Sequence, residues 1–365
     1  MNDAYDLSFR NWLSPLLSRV LSGGTIERDE ALRLLQVEGP DCFELFAAAN
    51  RLRHAFHGDQ VHLCSIVNAK SGRCSEDCGF CSQSVRFPSD VPEYDLVDDN
   101  TIVEHAQRAK SNASQALGIV AAWRGLKKGR ELDAVLERIR TLAAQDGIHA
   151  DASLGLIDDP DIPPMLKEAG LHTYNHNLET SRKHFGTICE THSYDDRIAT
   201  LKMIKEAGMR TCSGGIFGMG ESLEDRIDLA FQLRELEVDV IPLNFLNPMP
   251  GTPMEGKPLL EPMECLRTVA MFRFVNPTTH LMVAGGREVN LRQLQPLMFA
   301  AGADATMAGA YLTSGGNEGT DDLDMIRQLG LDPGEAIQPV QAEPRKSAGS
   351  SRLQVIQPGT SAPAV

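Results

Sequence analysis

The strongest constraint on the fold is a rhythm. Short runs rich in small, apolar or β-branched residues recur at VHLCSIVN (61–68), ALGIVAAW (116–123), HADASLG (149–155), HTYNHNLE (172–179), MRTCSGGIFG (209–218), DVIPLNFL (239–246), THLMVAGG (279–286) and DATMAGAYL (304–312). Between them lie helix-like segments such as GRELDAVLERIRTLAAQ, SYDDRIATLKMIKEAG, SLEDRIDLAFQLREL and PMECLRTVAMFRFV. Several open on Ser or Asp and close on Gly, in the manner of helix caps. Eight strand-like runs alternating with helices predict an α/β fold, a (βα)8 barrel of the TIM type spanning 58–335, with an open parallel sheet as the alternative. Residues 1–57 read as a helical lead-in, because RNWLSPLLSRVL and ERDEALRLLQ carry apolar residues at helical spacing. Residues 336–365, rich in Pro, Ser, Gly and Ala without a period, read as a disordered tail.

Composition narrows the setting. A chain of 365 residues that is 42% hydrophobic can bury a large core. No stretch approaches the roughly 18 to 20 apolar residues of a membrane span, and MNDAYDLSFRNW lacks the basic-then-apolar layout of a signal peptide. A cytoplasmic protein without a membrane partner is therefore expected, and its 8 cysteines are then thiols, ligands or small buried side chains rather than disulfides. A formal charge of -15 argues against a nucleic-acid partner, whose phosphates call for surplus Lys and Arg.

Within SGRCSEDCGFCSQS, Cys74, Cys78 and Cys81 crowd together with no fourth ligand close behind. The cluster follows the first strand-like run, so it falls on the first βα loop, at the barrel face where active sites are built. Disulfides want pairs and a closed zinc site wants four ligands. Three thiolates suit a four-iron cube that leaves one iron open to a substrate. A zinc site completed by His54, His57 or His105 is the alternative from spacing alone.

The C-x3-C-x2-C spacing, with Phe80 before the last cysteine, is the signature of radical S-adenosylmethionine enzymes. NAKSGRCSEDCGFCSQS, YNHNLETS, THSYDDR, CSGGIFGMGE, PLNFLNPMPGTP and AGGREVNLR, in that order, together resemble the biotin synthase family. The resemblance implies a 4Fe-4S cluster on Cys74, Cys78 and Cys81. It implies S-adenosylmethionine as the source of a 5'-deoxyadenosyl radical, and dethiobiotin as a substrate whose C6 and C9 carbons become bridged by sulfur. It assigns Phe80, Asn177, Glu179 and Arg197 to the cofactor, with Glu179 on the ribose hydroxyls and Arg197 on the carboxylate. It assigns Asn175 and Asn244 to the ureido ring. Asn175, Asn177 and Glu179 would share one side of a strand of period two. Gly214, Gly215, Gly218 and Gly220 would allow close backbone approach to the cofactor. A flavodoxin or ferredoxin as electron donor and a homodimer are further implications.

The chain departs from this family in one place. Common biotin synthases hold a two-iron sulfur donor inside the barrel on three cysteines and an arginine. Aligned through the neighbouring motifs, those positions are Gly118, Asp151, Cys212 and Met282, so that site cannot be assembled. Either sulfur insertion is lost and another radical reaction takes its place, or a different auxiliary cluster is bound. For the second case the expected ligands are Cys64, Cys212 and Cys189. Cys42 and Cys265 are assigned to packing. An iron-sulfur carrier is the non-enzymatic reading, but it has no need of the Asn175, Asn177, Glu179, Arg197 and Asn244 set.

Overall fold

The computed structural model describes residues 7–309 and 319–333. The tail expected over 336–365 lies outside the described residues, as does the end of the last strand-like run. Nine parallel strand segments form the sheet: β1 (His62–Lys70), β2 (Ala116–Ala121), β3 (His149–Ser153), β4 (Thr173–Asn175), β5 (Arg210–Cys212), β6 (Gly215–Phe217), β7 (Val240–Phe245), β8 (His280–Val283) and β9 (Ala305–Met307). Their order is β5-β4-β3-β2-β1-β9-β8-β7-β6, and Cys212 of β5 also pairs with Val240 of β7. That last pairing closes the sheet, so the open-sheet alternative is set aside. β5 and β6 are two halves of one stave, and the barrel has the eight staves that the rhythm predicts. The break has a local cause. Pro242 in β7 has no N–H to donate to its neighbour, and Gly214 packs so close to it that a Cβ there would lie 1.9 Å from the Pro242 carbonyl oxygen.

The helices follow from their caps and apolar stripes. Ser193 and Ser222 each accept the backbone N–H three residues on, and Asp196 and Asp225 return the contact, giving capping boxes at Tyr194–Glu206 and Leu223–Glu235. The lead-in forms three helices, Ser8–Leu21, Arg28–Leu35 and Asp41–His57. They share one apolar core with Phe217, Phe245, Phe272 and Leu281 of the second half of the barrel. A second core, around Val67, Ile119, Leu136 and Ile139, lies outside the first half. The third cluster is different in kind: Cys64, Ala116, Cys212, Val240, Met282, Ala284 and Ala305 form a small group of their own, with Met307 against it. Small and sulfur-bearing side chains replace the bulky layers that fill most such barrels.

At the end of the barrel where β8 and β9 begin, buried charge is paired. Arg273 and His280 bind Asp304, whose carboxylate also accepts the Leu281 N–H at 2.8 Å, and His57 Nδ1 lies 3.2 Å away. Among the described residues no helix is long and apolar enough to cross a membrane.

Candidate active site

The loops that leave the C-terminal ends of the staves surround a cavity of roughly 430 Å3, within the range of small-molecule sites. Cys74, Cys78, Cys81 and Phe80 line it together with Asn175, Asn177, Glu179, Arg197 and Asn244. The set expected from sequence is thus brought to one place. The cluster loop is held in shape by its own backbone: Cys81 N–H donates to the Cys78 carbonyl at 2.9 Å, and Cys74 N–H to that of Gln83 at 3.0 Å. Burial raises the thiol pKa of Cys74, and that of Cys81 to about 11. Three thiols converging on one cavity fit a four-iron cluster, whose iron charge would offset the cost of ionising them. None of His54, His57 and His105 joins them in a metal-binding group; His57 lies instead with His280 and Asp304.

The route by which Asn177 and Glu179 reach the cavity differs from the expectation. β4 ends at Asn175, and Glu179 adopts φ +70, so no period-two strand runs through these residues. Instead the chain turns back on the broken stave: Glu179 N–H donates to the Gly214 carbonyl at 3.0 Å, and Ile216 N–H to the Glu179 carbonyl at 2.8 Å. A Cβ on Gly215 would lie 2.5 Å from that Glu179 oxygen. Gly214 and Gly215 therefore make room for neighbouring strand backbone. Gly218, Met219 and Gly220 turn their N–H groups onto the carboxylate of Glu221. The glycine run thus serves backbone packing and an internal carboxylate cradle.

Several polar atoms in the site lack a partner. Asn175 Oδ1, His176 Nε2 and Glu179 Oε2 are buried without hydrogen bonds, which is costly unless a ligand supplies them. Burial raises the Glu179 pKa, against the opposing pull of Arg197 and of a hydrogen bond with Asn177. Asn244 is pinned: its Nδ2 donates to Gly215 O at 3.1 Å and its Oδ1 accepts from Gly285 N at 2.8 Å. One N–H and one lone pair remain for a guest.

A chain of charges that the motifs contain but sequence reasoning did not single out orients Arg197. Arg124 donates to Glu76 at 3.0 Å, Thr191 Oγ1 donates to Glu76 at 2.7 Å, and His192 Nδ1 bonds the same carboxylate. Arg197 Nε then donates to His192 Nε2 at 2.9 Å and its Nη1 to the Asn177 carbonyl at 2.7 Å. Its other nitrogen lies 3.8 Å from Cys78 Sγ. The only sequence signal for Glu76 and His192 was their position inside SEDCGFC and THSYDDR.

Cys189 is a correction. It was expected beside Cys64 and Cys212, but its sulfur lies 3.9 Å from Cys78 and 3.3 Å from His192 Nδ1. The loop Cys189 sits on is tied to the cluster loop by Gly79 N–H on the Ile188 carbonyl, which carries it to the rim. The Cys78 thiol donates to the Cys189 sulfur, and this hydrogen bond raises Cys78 and lowers Cys189. Cys64 and Cys212 both belong to the small interior group, and burial raises both thiols with the Asp151 carboxylate adding to it.

The Radical SAM superfamily model matches residues 69–233, and that of the Biotin and Thiamin Synthesis associated domain matches 242–332. The biotin synthase of Geotalea uraniireducens is 46% identical over 321 residues, covering 88% of this chain and 97% of that protein. That of Heliobacterium modesticaldum is 46% identical over 312 residues, covering 86% and 95%. The chain belongs to the biotin synthase family. Solved structures share the fold at low identity: methylornithine synthase superposes with a TM-score of 0.77 at 18% identity, covering 88% of this chain and 97% of that one. The FeFe-hydrogenase maturase HydG from Carboxydothermus hydrogenoformans gives 0.73 at 13%, covering 88% and 79%. For this biotin synthase family member, the residues at the family's two-iron positions do not fit that cluster: Gly118 offers no donor, and Met282 only a thioether.

Proposed function

We propose that the chain inserts sulfur into dethiobiotin to give biotin, with S-adenosylmethionine bound at the barrel mouth and sulfur drawn from an auxiliary cluster in the barrel interior. Family membership supports the reaction; the cavity supports the placement. Cys74, Cys78 and Cys81 would hold the 4Fe-4S cluster, which would supply the binding site for the cofactor. When bound, cluster and cofactor supply the radical that removes hydrogen from unactivated carbon, which no side-chain acid or base can do.

The protein's part is position and enclosure. Arg197, aimed by His192 and Glu76, pairs with the cofactor carboxylate through its forked guanidinium. Glu179 accepts the ribose hydroxyls on the oxygen that has no partner, Asn177 adds a polar contact, and Phe80 supplies an apolar wall. Asn175 and Asn244 read the ureido ring, each with an amide able to give and to take a hydrogen bond. The barrel wall keeps water from the site.

Cys64 and Cys212 hold the sulfur donor. Asn175 pairs in register with Cys212, so a substrate held by Asn175 would sit on the stave next to that cysteine. A cluster of more than two irons suits this pair, because two-iron clusters take four protein ligands. Electron delivery by a flavodoxin or ferredoxin, a homodimeric state and a cytoplasmic location rest on the family resemblance, with free cysteines throughout the described residues in keeping with a reducing compartment.

The observation that carries the proposal is the convergence of three loop thiols with the unpartnered Asn175 and Glu179 oxygens on one cavity. Anaerobic incubation of the reconstituted enzyme with S-adenosylmethionine, a reductant and dethiobiotin tests it. Both 5'-deoxyadenosine and biotin are expected. Deoxyadenosine without biotin would contradict sulfur insertion.

A further inference from the structure

The strand register places four side chains at one height inside the barrel. Cys64 pairs through Ala116 to His149, two residues before Asp151. Asp151 pairs through Thr173 to Arg210, two before Cys212. Cys212 pairs through Val240 to His280, two before Met282, and Met282 pairs through Ala305 to His62, two before Cys64. Each double step gains two residues, the stagger by which a tilted eight-stave barrel closes, and side chains from alternate staves then share a layer. Cys64, Asp151, Cys212 and Met282 are one such layer, and all four residues are buried.

The next inward-facing residues on the same strands, Ile66 and Ser153, line the cavity at the mouth. The layer therefore lies about 7 Å below, at roughly 3.3 Å per residue along a strand. Gly118, which has no side chain, is on the intervening stave.

Within this ring Asp151 is anomalous. The residue is only 8% exposed, and its Oδ1 has no hydrogen-bond partner. The ring nitrogen of His172, Nδ1, stands 3.7 Å off, beyond hydrogen-bond reach. A buried carboxylate oxygen without a partner, in a ring that also carries two thiols, has the donor chemistry of an iron site. We infer that Asp151 is the third protein ligand of the auxiliary cluster, through its Oδ1, completing a set of two thiolates and one carboxylate with Cys64 and Cys212. The inference rests on the reading that an auxiliary cluster occupies this ring. It gives one iron a harder oxygen ligand than its neighbours, which sets that iron apart within the cluster.

The test uses full-length protein carrying Cys74→Ala, Cys78→Ala and Cys81→Ala, so that only interior iron is counted. Asp151→Asn and Asp151→Cys are added to this parent, each is reconstituted anaerobically with 57Fe, and iron, sulfide, Mössbauer and X-ray absorption spectra are recorded. The parent is expected to hold a cluster with an Fe–O scattering path. Asp151→Asn should lose that path and at least half of the iron, while Asp151→Cys should keep the iron with sulfur-only scattering. Asp151→Asn with unchanged iron content and spectra overturns the assignment. So does equal iron loss in both variants, which would mark a structural role. A parent that binds no iron overturns the auxiliary-cluster reading itself, a pattern distinct from loss confined to the Asp151 variants.

Discussion

The cysteines proposed to bind iron occur in two settings made in opposite ways. Cys74, Cys78 and Cys81 sit on one loop, where spacing alone brings them together and backbone hydrogen bonds hold the turn. Cys64 and Cys212 lie on opposite sides of a closed sheet and share one interior group only because every stave keeps its register. The loop set is local, open to the cavity and next to Arg197. The interior pair is sealed, flanked by a carboxylate and a thioether, and depends on the whole barrel. A site built by spacing tolerates change elsewhere in the fold, whereas a site built by register fails when the ring is disturbed.

The most drastic way to break this comparison is at the loop. Replacing Cys74, Cys78 and Cys81 together by Ala should reduce deoxyadenosine formation to background, measured by chromatography after incubation with reductant and S-adenosylmethionine. Interior iron should remain. A smaller effect should separate the settings from the other side: Gly214→Ala forces a Cβ against the Pro242 carbonyl. It should cost about 1–3 kcal/mol of stability in a denaturant titration, the usual scale of overpacking, and interior iron should be lost before loop iron. Asn175→Ala and Asn244→Ala should each weaken dethiobiotin binding about tenfold to a hundredfold, or ~1–3 kcal/mol, by leaving buried ring groups unpaired. Calorimetric titration of the reconstituted enzyme would show it.

A further effect comes from the opposite end of the barrel and should spare the comparison. Burial holds His57 neutral, with Asp304 opposing and Arg273 and His280 assisting, and lowers its pKa from 6.5 to about 3. Burial alone would raise Asp304, but His57, His280 and Arg273 pull its carboxyl well below the usual range. Both groups bind fewer protons folded than unfolded. Their stabilisation is full above the unfolded values, begins to fall below about pH 6.5 as His57 is called on to charge, and falls further below about pH 4 through Asp304. Each such group should lower stability by up to ~1.4 kcal/mol per pH unit within its window. Thermal unfolding measured between pH 7 and pH 4 checks the slope.

Much of this could be read from sequence because it is locally encoded. The eight staves appear as short runs between capped helices, and the Ser193 and Ser222 capping boxes fall where SYDD and SLED place them. The loop triplet needs no tertiary information. The interior could not be read in the same way. The split at Ser213 and Gly214 arises from a proline on the neighbouring strand, and the φ of +70 at Glu179 arises from that split. Cys189 was misplaced because a loop residue's height is set by what its loop docks on, here the cluster loop through Ile188. The Glu76–His192–Arg197 chain joins residues on different loops, which no local pattern records. Asp151 could be aligned, but its standing level with Cys64 and Cys212 follows from barrel closure, a property of all the staves at once.

The proposed division of labour puts radical generation at the loop cysteines and sulfur supply at the interior ones. Cys64→Ala tests it most directly, in an anaerobic single-turnover assay that follows deoxyadenosine and biotin in the same sample. Deoxyadenosine is expected still to form while biotin falls to background. Biotin at the wild-type yield, or loss of both products together, would contradict it.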